Sequence, residues 1–339
     1  MTSPTSDRPS ASGRAPRRGR VTRVGIVARA DLHRAARVLV DLGEWLRLRG
    51  VDAIFEERTS SLAAKAVAAD ARATNAGSAH ADAAGDPAAD AAASGHKAVP
   101  LEEMIGAVDL IVLLGGDGTL LATADRIAMA GASIPILGVN FGSLGFLTEI
   151  TLPELYDALE AAISGDTPIE ERLMLNAEIL EDGRVVEHVR VLNDVVVTRG
   201  ALSRMTDLSV SVNDQFVARF KADGLIVATA TGSTAYNLSA GGPIVHPGVD
   251  ALVVTPIAPH TLTNRPVVVP ASFTLLIQPL GGGTQPADVF VTFDGQLGHP
   301  LPVNRIVRIT CAEHPLRLVR PTTRSYFDVL RQKLKWAER

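Results

Sequence analysis

The spacing of the apolar residues changes near Arg172 from a helical period to a strand period. Before that point, the segments VTRVGIVAR, VDAIFEE, VDLIVLL and SIPILGVN predict short buried strands. Between them, the spacing predicts helices over Leu32 to Arg49 and over Thr119 to Met129. A capping box with an early proline, Thr151 to Glu154, predicts the start of a further helix. Strands that alternate with helices predict an α/β domain with a parallel sheet.

After Arg172, apolar and polar residues alternate through many short segments. Two turn sequences, Asp182-Gly183 and Asn213-Asp214, predict β-hairpins. This part of the chain is therefore predicted to be β-rich and two-layered. The tail, from about Ser325 to Trp336, has the apolar spacing of one more amphipathic helix.

Two segments of unusual composition interrupt this plan. Residues 1–20 are rich in Arg, Ser and Pro, and we interpret them as a disordered leader rather than a transit peptide. Half of residues 63–98 are alanine, and we interpret this segment as an insertion, mobile or loosely helical, that carries no chemistry. The expected domains are an α/β domain over residues 21–170, joined by the C-terminal helix at 322–339, and a β-rich domain over residues 171–321.

The composition disfavours several classes of partner and cofactor. The chain of 339 residues has a formal net charge of −4, and no basic stripe with interleaved aromatic residues follows the leader, so nucleic acid is not an expected partner. No apolar run approaches the length of about 20 residues that a membrane span requires. A single cysteine, Cys311, excludes an internal disulfide and a cysteine metal cluster. The cytoplasm is the expected location.

A glycine-rich turn joins the predicted strand VDLIVLL directly to a helix. Its residues are Gly115, Gly116, Asp117 and Gly118, and Thr119 follows them. Glycines allow the backbone to approach a ligand closely, and a helix N-terminus offers free N–H groups to an anion. The turn therefore predicts a phosphate-binding loop at the carboxyl end of a strand, and a tight turn capped by Asp117 is the alternative.

A second block, from Lys221 to Pro247, contains the sequence TGSTAYNLSAGGP. Small and hydroxylated residues with one tyrosine can bond ribose and phosphate oxygens and stack on adenine. The alternative is a plain Gly/Ser-rich loop. The pair Asn193-Asp194 lies between two predicted strands and by itself is common turn chemistry.

Taken in order, GGDG, Asn193-Asp194 and the TGSTAYNLSAGGP block resemble the motifs of the NAD kinase family. The similarity continues through NFGSLGFL, HTLTNRP and DGQ, and it covers about two thirds of the chain, from about Val108 onward. The resemblance implies an α/β domain and a β domain with the active site between them, and a last helix that returns to the first domain. It also implies transfer of the γ-phosphoryl group of ATP to the 2′-hydroxyl of the adenosine ribose of NAD, with Mg²⁺ carried on the ATP phosphates.

The resemblance assigns roles to individual residues. Asp117 corresponds to the general base, and Gly118 to a backbone contact beside it. The pair Asn193-Asp194 corresponds to residues that bind ribose or adenine groups of NAD. Further NAD contacts are expected at Arg204, Lys221, Asp223, Thr234, Ala235, Tyr236, Asn237, Leu238, Ser239 and Gln296. A homodimer or homotetramer is also expected from the resemblance.

Three features depart from the family pattern. Asp194 stands where many members have Glu, and Ala230 stands where a proline is usual. The alanine-rich insertion and the basic leader have no general counterpart. The alternatives left open are another kinase with a GGDG turn, acting on lipids or sugars, and a non-catalytic NAD or ATP sensor. The sequence also leaves open whether ATP or polyphosphate is the donor, and whether NADH is accepted beside NAD.

Overall fold

A computed structural model describes residues 20–29, 35–74, 97–200, 206–261, 263–280, 289–321 and 323–336. Several expectations fall on other residues: the leader up to residue 19, Leu32, Arg204 and residues 75–96 of the alanine-rich segment lie outside the described residues. The described residues form three sheets and the helices that cover them.

The first sheet is built from strands of both ends of the chain. Its strands are β1 (Arg23–Ala28), β2 (Asp52–Glu56), β3 (Lys97–Val99), β4 (Leu110–Gly115), β5 (Pro135–Asn140), β6 (Ile150–Thr151), β7 (Ile169–Arg172) and β20 (Leu316–Val319). Their order is β3-β2-β1-β4-β5-β20-β7, and β6 also pairs with β5. Neighbours are parallel except β20 and β7. The predicted parallel α/β sheet is confirmed.

Strand β20 belongs to the first sheet, whereas the predicted domain division placed its residues in the β-rich domain. The pattern assigned its residues to the β-rich part of the chain, but Arg317 pairs with Pro135 of β5 and with Glu171 of β7. The chain therefore returns to the first sheet before the C-terminal helix begins.

Five helices pack against the first sheet in the described ranges. They are α1 (Ala35–Leu48), α2 (Glu57–Thr74), α3 (Leu101–Ile105), α4 (Asp117–Met129) and α5 (Leu155–Ser164). One apolar cluster joins α1, α2 and α5 to one face of the sheet, and a second joins α3 and α4 to the other. Strands β4 and β5 are buried along their whole length because helices cover both faces.

The ends of the alanine-rich segment belong to this first layer. Leu62 and Ala63 of α2 are buried in the core, and the helix continues to Thr74. Residues 97–99 form the edge strand β3. The predicted insertion over residues 63–98 is therefore too long at both ends: its start extends a helix that packs on the sheet, and its end is a strand.

The predicted β-rich part consists of two antiparallel sheets. One contains β10 (Asp194–Arg199), β13 (Gly224–Thr229), β14 (Ala251–Ile257), β15 (Val267–Pro270), β17 (Val289–Phe293) and β18 (Leu297–Pro300). The other contains β8 (Leu175–Glu181), β9 (Arg184–Val191), β11 (Thr206–Val212), β12 (Gln215–Ala222), β16 (Leu275–Leu280) and β19 (Arg305–Cys311). A single apolar cluster fills the space between them, which confirms the two-layered arrangement.

The glycine-rich block forms a cover on one of these sheets. It folds into a 3₁₀ turn, Thr231–Thr234, and a short helix, α6 (Tyr236–Ser239). Beyond them, Ala240 and Val245 pack against a cluster that includes Ile226 of β13. Because this cover lies on the outer face, β13 and β14 are buried on both sides.

The predicted C-terminal helix is α7 (Tyr326–Leu334), and Ser325 and Asp328 form a capping box at its start. Just before the helix, Arg324 donates to a carboxylate oxygen of Glu154 at 2.8 Å, and Arg320 pairs with Glu170 at 2.9 Å. These ion pairs hold the end of the described chain against the first sheet. No helix in the described residues is long and apolar enough to cross a membrane.

Candidate active site

Asp117 is held rigidly at the junction of β4 and α4. The strand ends at Gly115, and the helix begins at Asp117 itself. Its Oδ2 accepts a hydrogen bond from the Phe146 backbone N–H at 2.9 Å. Its Oδ1 accepts three, from the backbone N–H of Leu147 and from the N–H and hydroxyl of Thr148, at 2.9 to 3.2 Å. Only one of the four hydrogen bonds from the described residues goes to Oδ2, so this oxygen retains capacity for a further donor.

The loop that holds this carboxylate needs a glycine at position 145. A Cβ atom built on Gly145 would overlap Oδ1 of Asp117 and crowd the Thr148 hydroxyl. Asn140, at the end of β5, donates from its side chain to the same hydroxyl at 3.0 Å and accepts from the Gly142 N–H at 2.6 Å. The NFGSLGFL motif therefore positions Asp117, a role that the sequence analysis did not identify.

A cavity of about 330 Å³ opens beside this carboxylate, and we name it the Asp117 pocket. Its walls are the glycine-rich turn and the loop after β5, with Arg29 and Lys333 contributing cationic side chains. Lys333 comes from α7, and its Nζ lies 5.6 Å from the centre of the Phe146 ring. Neither cation could be predicted from the sequence, because no local pattern links Arg29 or Lys333 to the GGDG turn.

The predicted phosphate-binding loop is placed around this pocket. Gly115 and Gly116 line it. Thr119 packs against Gly115, where an added Cβ would lie 2.8 Å from the threonine hydroxyl. The start of α4 brings positive helix-dipole charge and free N–H groups to this end of the pocket. A small cavity with these groups and two cations is suited to phosphate oxygens.

A second cavity, of about 350 Å³, lies on the β-rich part, and we name it the Tyr236 pocket. It is lined by Asn193, Asp194, Val196, Ala235, Tyr236, Thr292, Asp294 and Gly295. The structure thus brings the Asn-Asp pair and the glycine-rich block together. Tyr236 is 45% exposed, so its aromatic ring is accessible for stacking.

Asp194 is the buried acid of this pocket, with 4% of its surface exposed. Burial and the neighbouring charge of Asp294 raise its pKa to about 7, although a backbone hydrogen bond from Tyr236 opposes the shift. The side chain can therefore change its charge near neutral pH.

Asp294 anchors the strand end that carries the Asn-Asp pair. It accepts hydrogen bonds from the backbone N–H groups of Leu192, Asn193 and Asp194, at 2.7 to 3.0 Å. Burial raises the pKa of Asp294, and these three bonds oppose the rise. In the sequence, Asp294 stands out only as part of the DGQ motif, because its partners lie about a hundred residues away in sequence.

The glycine-rich block is fitted closely to the same strand end. A Cβ built on Gly232 would overlap the backbone carbonyl of Asn193, so the turn can lie there only without a side chain. Ser233 donates to the Ala230 carbonyl at 2.7 Å and accepts from the Val245 N–H at 2.9 Å, which closes the loop. The block therefore has a defined shape rather than that of a plain linker.

Asn237 departs from its expected role as an NAD contact. Its side chain is fully buried and donates to the carbonyls of Ser233 and Pro243, both at 3.0 Å. Its Oδ1 accepts from the Thr255 hydroxyl at 2.6 Å. Because these bonds turn the amide inward, the side chain holds the loop together instead of facing a ligand.

The other expected contacts are placed at varied positions. Thr234 and Leu238 are half-buried and Ser239 is exposed at the surface of the block. Lys221 is exposed on β12, and Asp223 forms an ion pair with Arg199 at 2.8 Å. Arg204 lies outside the described residues.

One hydrogen bond links the two pockets. The side-chain amide of Gln296, which follows the wall residue Gly295, donates to the backbone carbonyl of Gly118 at 3.2 Å. Gly118 adjoins Asp117, so the β-rich part touches the glycine-rich turn directly. The two cavities therefore flank one junction between the first sheet and the β-rich sheets.

Comparison with known proteins matches both halves of this arrangement. The profile of the ATP-NAD kinase N-terminal domain matches residues 24–167, and that of the ATP-NAD kinase C-terminal domain matches residues 192–321. The chain belongs to the NAD kinase family. This membership separates it from the lipid and sugar kinases that share a GGDG turn.

Family relatives resemble the chain over nearly its whole length. The NAD kinase of Geobacter sp. (strain M21) is 46% identical over 317 residues, which are 94% of this chain and 99% of that protein. The NAD kinase of Citrifermentans bemidjiense is 44% identical over the same shares of the two chains.

Two solved structures share the family fold at 23% identity. A yeast NADH kinase complexed with NADH superposes with a TM-score of 0.77 over 94% of this chain and 89% of that one. An NAD kinase from Archaeoglobus fulgidus in complex with ATP gives a TM-score of 0.66 over 91% and 99%. Both likenesses confirm the architecture of an α/β domain followed by a β-rich domain.

Proposed function

We propose that this protein is an NAD kinase, which transfers the γ-phosphoryl group of ATP to the 2′-hydroxyl of the adenosine ribose of NAD and forms NADP. The observation that carries the proposal is the junction itself, where a cationic pocket and a nucleoside-sized pocket flank one fixed carboxylate. Relatives named NAD kinase, 44–46% identical over nearly the whole chain, support the same reaction.

Asp117 is the proposed general base. A ribose hydroxyl is a weak nucleophile at neutral pH, and a carboxylate within hydrogen-bond reach accelerates its attack by about 10²- to 10⁴-fold. The loop after β5 occupies Oδ1 with three donors and leaves acceptor capacity at Oδ2, so Oδ2 is the atom proposed to take the proton. The rigid fixation keeps this atom in place without reorganisation.

The Asp117 pocket is proposed to hold the phosphates of the donor. Phosphoryl transfer depends mainly on positioning and on neutralising charge. The turn Gly115, Gly116, Gly118 and Thr119 supplies backbone groups, and Arg29 and Lys333 supply positive charge. Of the cations that face this cavity, Lys333 is the one contributed by the C-terminal helix.

The Tyr236 pocket is proposed to hold the adenosine of NAD. Tyr236 offers a stacking face, and Asn193 and Asp194 offer acceptors for ribose or adenine groups. Ala235 lines this pocket, and Gln296 follows its wall residue Gly295. Thr234, Leu238 and Ser239 of the same glycine-rich block are proposed as further NAD contacts. Lys221, Asp223 and Arg204 remain proposed as further NAD contacts, whereas Asn237 is proposed to act through the loop that it braces.

Magnesium is proposed to enter with ATP. In the part of the chain that the structure describes, no group of three His, Cys, Asp or Glu side chains could hold a metal ion by itself. Mg²⁺ binds largely through substrate phosphates in sites of this kind, so we propose that the phosphates of ATP carry the ion into the Asp117 pocket and that Asp117 stays available as the base. When bound, the ion neutralises charge on the phosphates.

The decisive experiment measures NADP formation from NAD, ATP and Mg²⁺ through an NADP-specific coupled dehydrogenase. Asp117→Asn should lower turnover by about 10²-fold or more while NAD binding persists. Asp182→Asn, an exposed hairpin position, serves as the matched control and should keep wild-type turnover. Intact turnover in Asp117→Asn would remove the assignment of the base.

The same assay separates the remaining readings. Activity with polyphosphate but not with ATP would keep the reaction and change the donor. Activity with NADH in place of NAD would extend the acceptor. If folded protein that binds NAD formed no NADP with any donor, the non-catalytic sensor would be favoured.

Assembly, location and domain division complete the proposal. We expect a homodimer or homotetramer in the cytoplasm, without nucleic-acid or membrane partners. Light scattering on the purified protein measures the assembly. The division into an α/β domain and a β-rich domain near residue 170, with residues 316–336 returned to the first, can be checked by limited proteolysis.

A further inference from the structure

A further cavity among the described residues lies far from Asp117, at the end of the first sheet where its parallel strands begin. Its volume is about 410 Å³. It is lined where β4 and β5 begin, at Leu110 and Pro135, whereas the Asp117 pocket lies where the same two strands end. Six residues of strand separate the two ends by roughly 20 Å. We name it the basal cavity.

Two buried hydrogen-bond donors of the basal cavity have no partner in the part of the chain that the structure describes. Arg317, at the start of β20, donates from Nη1 to the Ser133 carbonyl at 3.1 Å, but its buried Nε has no partner among the described residues. The same holds for the hydroxyl of Thr167. A buried donor without a partner costs about 1–3 kcal/mol, so both groups favour an acceptor placed in the cavity.

The charge of the cavity favours an anion. Arg317 and Arg20 line it, and Asp109 is its acidic member. Asp109 already accepts hydrogen bonds through Oδ2 from the Thr22 N–H, the Thr22 hydroxyl and the Arg23 N–H, each at 2.9 Å. With that carboxylate engaged by the backbone, the two guanidinium groups leave a net positive charge.

Most of the remaining walls are apolar, and Ser133 is the polar exception. Leu110, Ile134 and Val319 are nearly or fully buried and line the cavity together with Val21 and Ile169. A free phosphate or sulfate would leave these walls without contact, whereas a molecule with an anionic head and a short hydrocarbon body would cover them. Pockets of a few hundred Å³ with apolar walls and few polar groups are typical of small-molecule sites.

We propose that the basal cavity is a second ligand site, which binds a small organic carboxylate. Its head group accepts from Arg317 Nε and the Thr167 hydroxyl, and its hydrocarbon body packs on Ile134 and Val319. The site is separate from the NAD kinase chemistry and does not depend on it.

Hexanoate is the probe that tests this proposal, with methyl NMR of the full chain as the readout. Hexanoate should shift the methyl signals of Ile134, Leu110 and Val319 in a saturable way, with a Kd of about 1 mM or lower, as expected for a ligand with about eight non-hydrogen atoms. Hexanol, which has the same body without the charge, should bind at least about tenfold more weakly.

Two shape-preserving variants locate the head group. Arg317→Met and Thr167→Val should each weaken hexanoate binding by about tenfold or more, because each removes one donor to a charged acceptor. Arg184→Met, at an exposed position of β9, is the matched control and should bind as wild type. If Arg317→Met fails to fold, Thr167→Val alone decides the matter.

Three results would overturn the proposal. One is the absence of saturable shifts around the basal cavity at about 10 mM hexanoate, well above the expected Kd. Another is equal binding by the wild type and by Thr167→Val. Shifts confined to the Asp117 pocket would also contradict it. The NADP assay is run separately, so a failure of either proposal leaves the other standing.

Discussion

The Asp117 pocket and the Tyr236 pocket carry charges of opposite sign. Arg29 and Lys333 face the first, whereas Asp194 and Asp294 line the second. The two lie on either side of the hydrogen bond from Gln296 to Gly118. A dinucleotide or a nucleoside triphosphate has an anionic phosphate part and a neutral nucleoside part. The difference in charge therefore orients such a molecule, since its phosphates are attracted to one side of the junction and repelled from the other.

Each pocket also depends on an aspartate fixed by backbone N–H groups, but the two aspartates do different work. Asp117 is gripped by a loop and offers a remaining lone pair to the cavity. Asp294 has the opposite role, because its carboxylate accepts hydrogen bonds from the backbone N–H groups of Asn193 and Asp194 and so fixes that strand end. In the first case the loop fixes the position of the carboxylate, and in the second the carboxylate fixes the position of the backbone. Changes at the two sites should therefore differ in kind.

The largest effect after loss of Asp117 itself is expected from its loop. Gly145→Ala places a Cβ against Oδ1 of Asp117 and must displace either the loop or the carboxylate. We expect kcat to fall by about 10²-fold, the lower range for a misplaced base, while KM for NAD changes little. Steady-state kinetics with both substrates measure this.

The control for that prediction is Gly106→Ala. There, φ is −77° and an added Cβ would lie 3.7 Å from the Glu103 carbonyl, an ordinary contact. This variant should retain wild-type kcat. If Gly145→Ala also retained it, the loop would not be what positions the carboxylate.

Lys333 tests whether positive charge in the Asp117 pocket contributes to binding of the donor. Lys333→Met keeps most of the side-chain length but removes a charge from the Asp117 pocket, so we expect KM for ATP to rise about tenfold, as for the loss of one hydrogen bond to a charged group. KM for NAD should stay unchanged. Lys335→Met, just beyond the same helix, should alter neither constant. Equal rises in both KM values would argue for a general loss of helix docking instead.

The parts of this site that could be predicted from sequence are the local ones. The GGDG turn follows a buried strand and opens a helix, and the Thr151 to Glu154 capping box has both of its hydrogen bonds. The order of strands and helices up to Arg172 and the hairpins after it depend on the same short-range spacing. These features follow from residues within a few positions of one another, so a pattern of period 2 or 3.6 reveals them.

The parts that could not be predicted depend on distant segments. Lys333 reaches the Asp117 pocket from the C-terminal helix, and Asp294 binds backbone that lies a hundred residues earlier. Strand β20 looked like its β-rich neighbours because period 2 does not say which sheet a strand joins. Asn237 looked like a ligand contact because only the packed loop shows that its amide faces inward.

Asp194, in the acidic Tyr236 pocket, predicts that the free energy of unfolding depends on pH. Asp194 has a pKa of about 7 in the folded protein, whereas an unfolded aspartate ionises near pH 4. Between these values the folded chain binds the additional proton, so the contribution of Asp194 to the free energy of unfolding is present at low pH and is lost as pH rises through about 7. Denaturant titrations at several pH values should show this loss in the free energy of unfolding. In Asp194→Asn, the part of the pH dependence that comes from Asp194 should be absent.

The same ionisation should appear, with a smaller effect, in NAD binding. An ionised carboxylate accepts hydrogen bonds from ribose hydroxyls more strongly than a neutral acid does, so KM for NAD should fall about fivefold as pH rises through about 7. Asp294→Asn removes the neighbouring charge that helps to raise this pKa, and the inflection should then move to lower pH. A role for Asp294 in folding alone would lower stability without moving the inflection. A profile of KM for NAD that is flat between pH 6 and pH 8 in the wild type would contradict a direct contact between Asp194 and NAD.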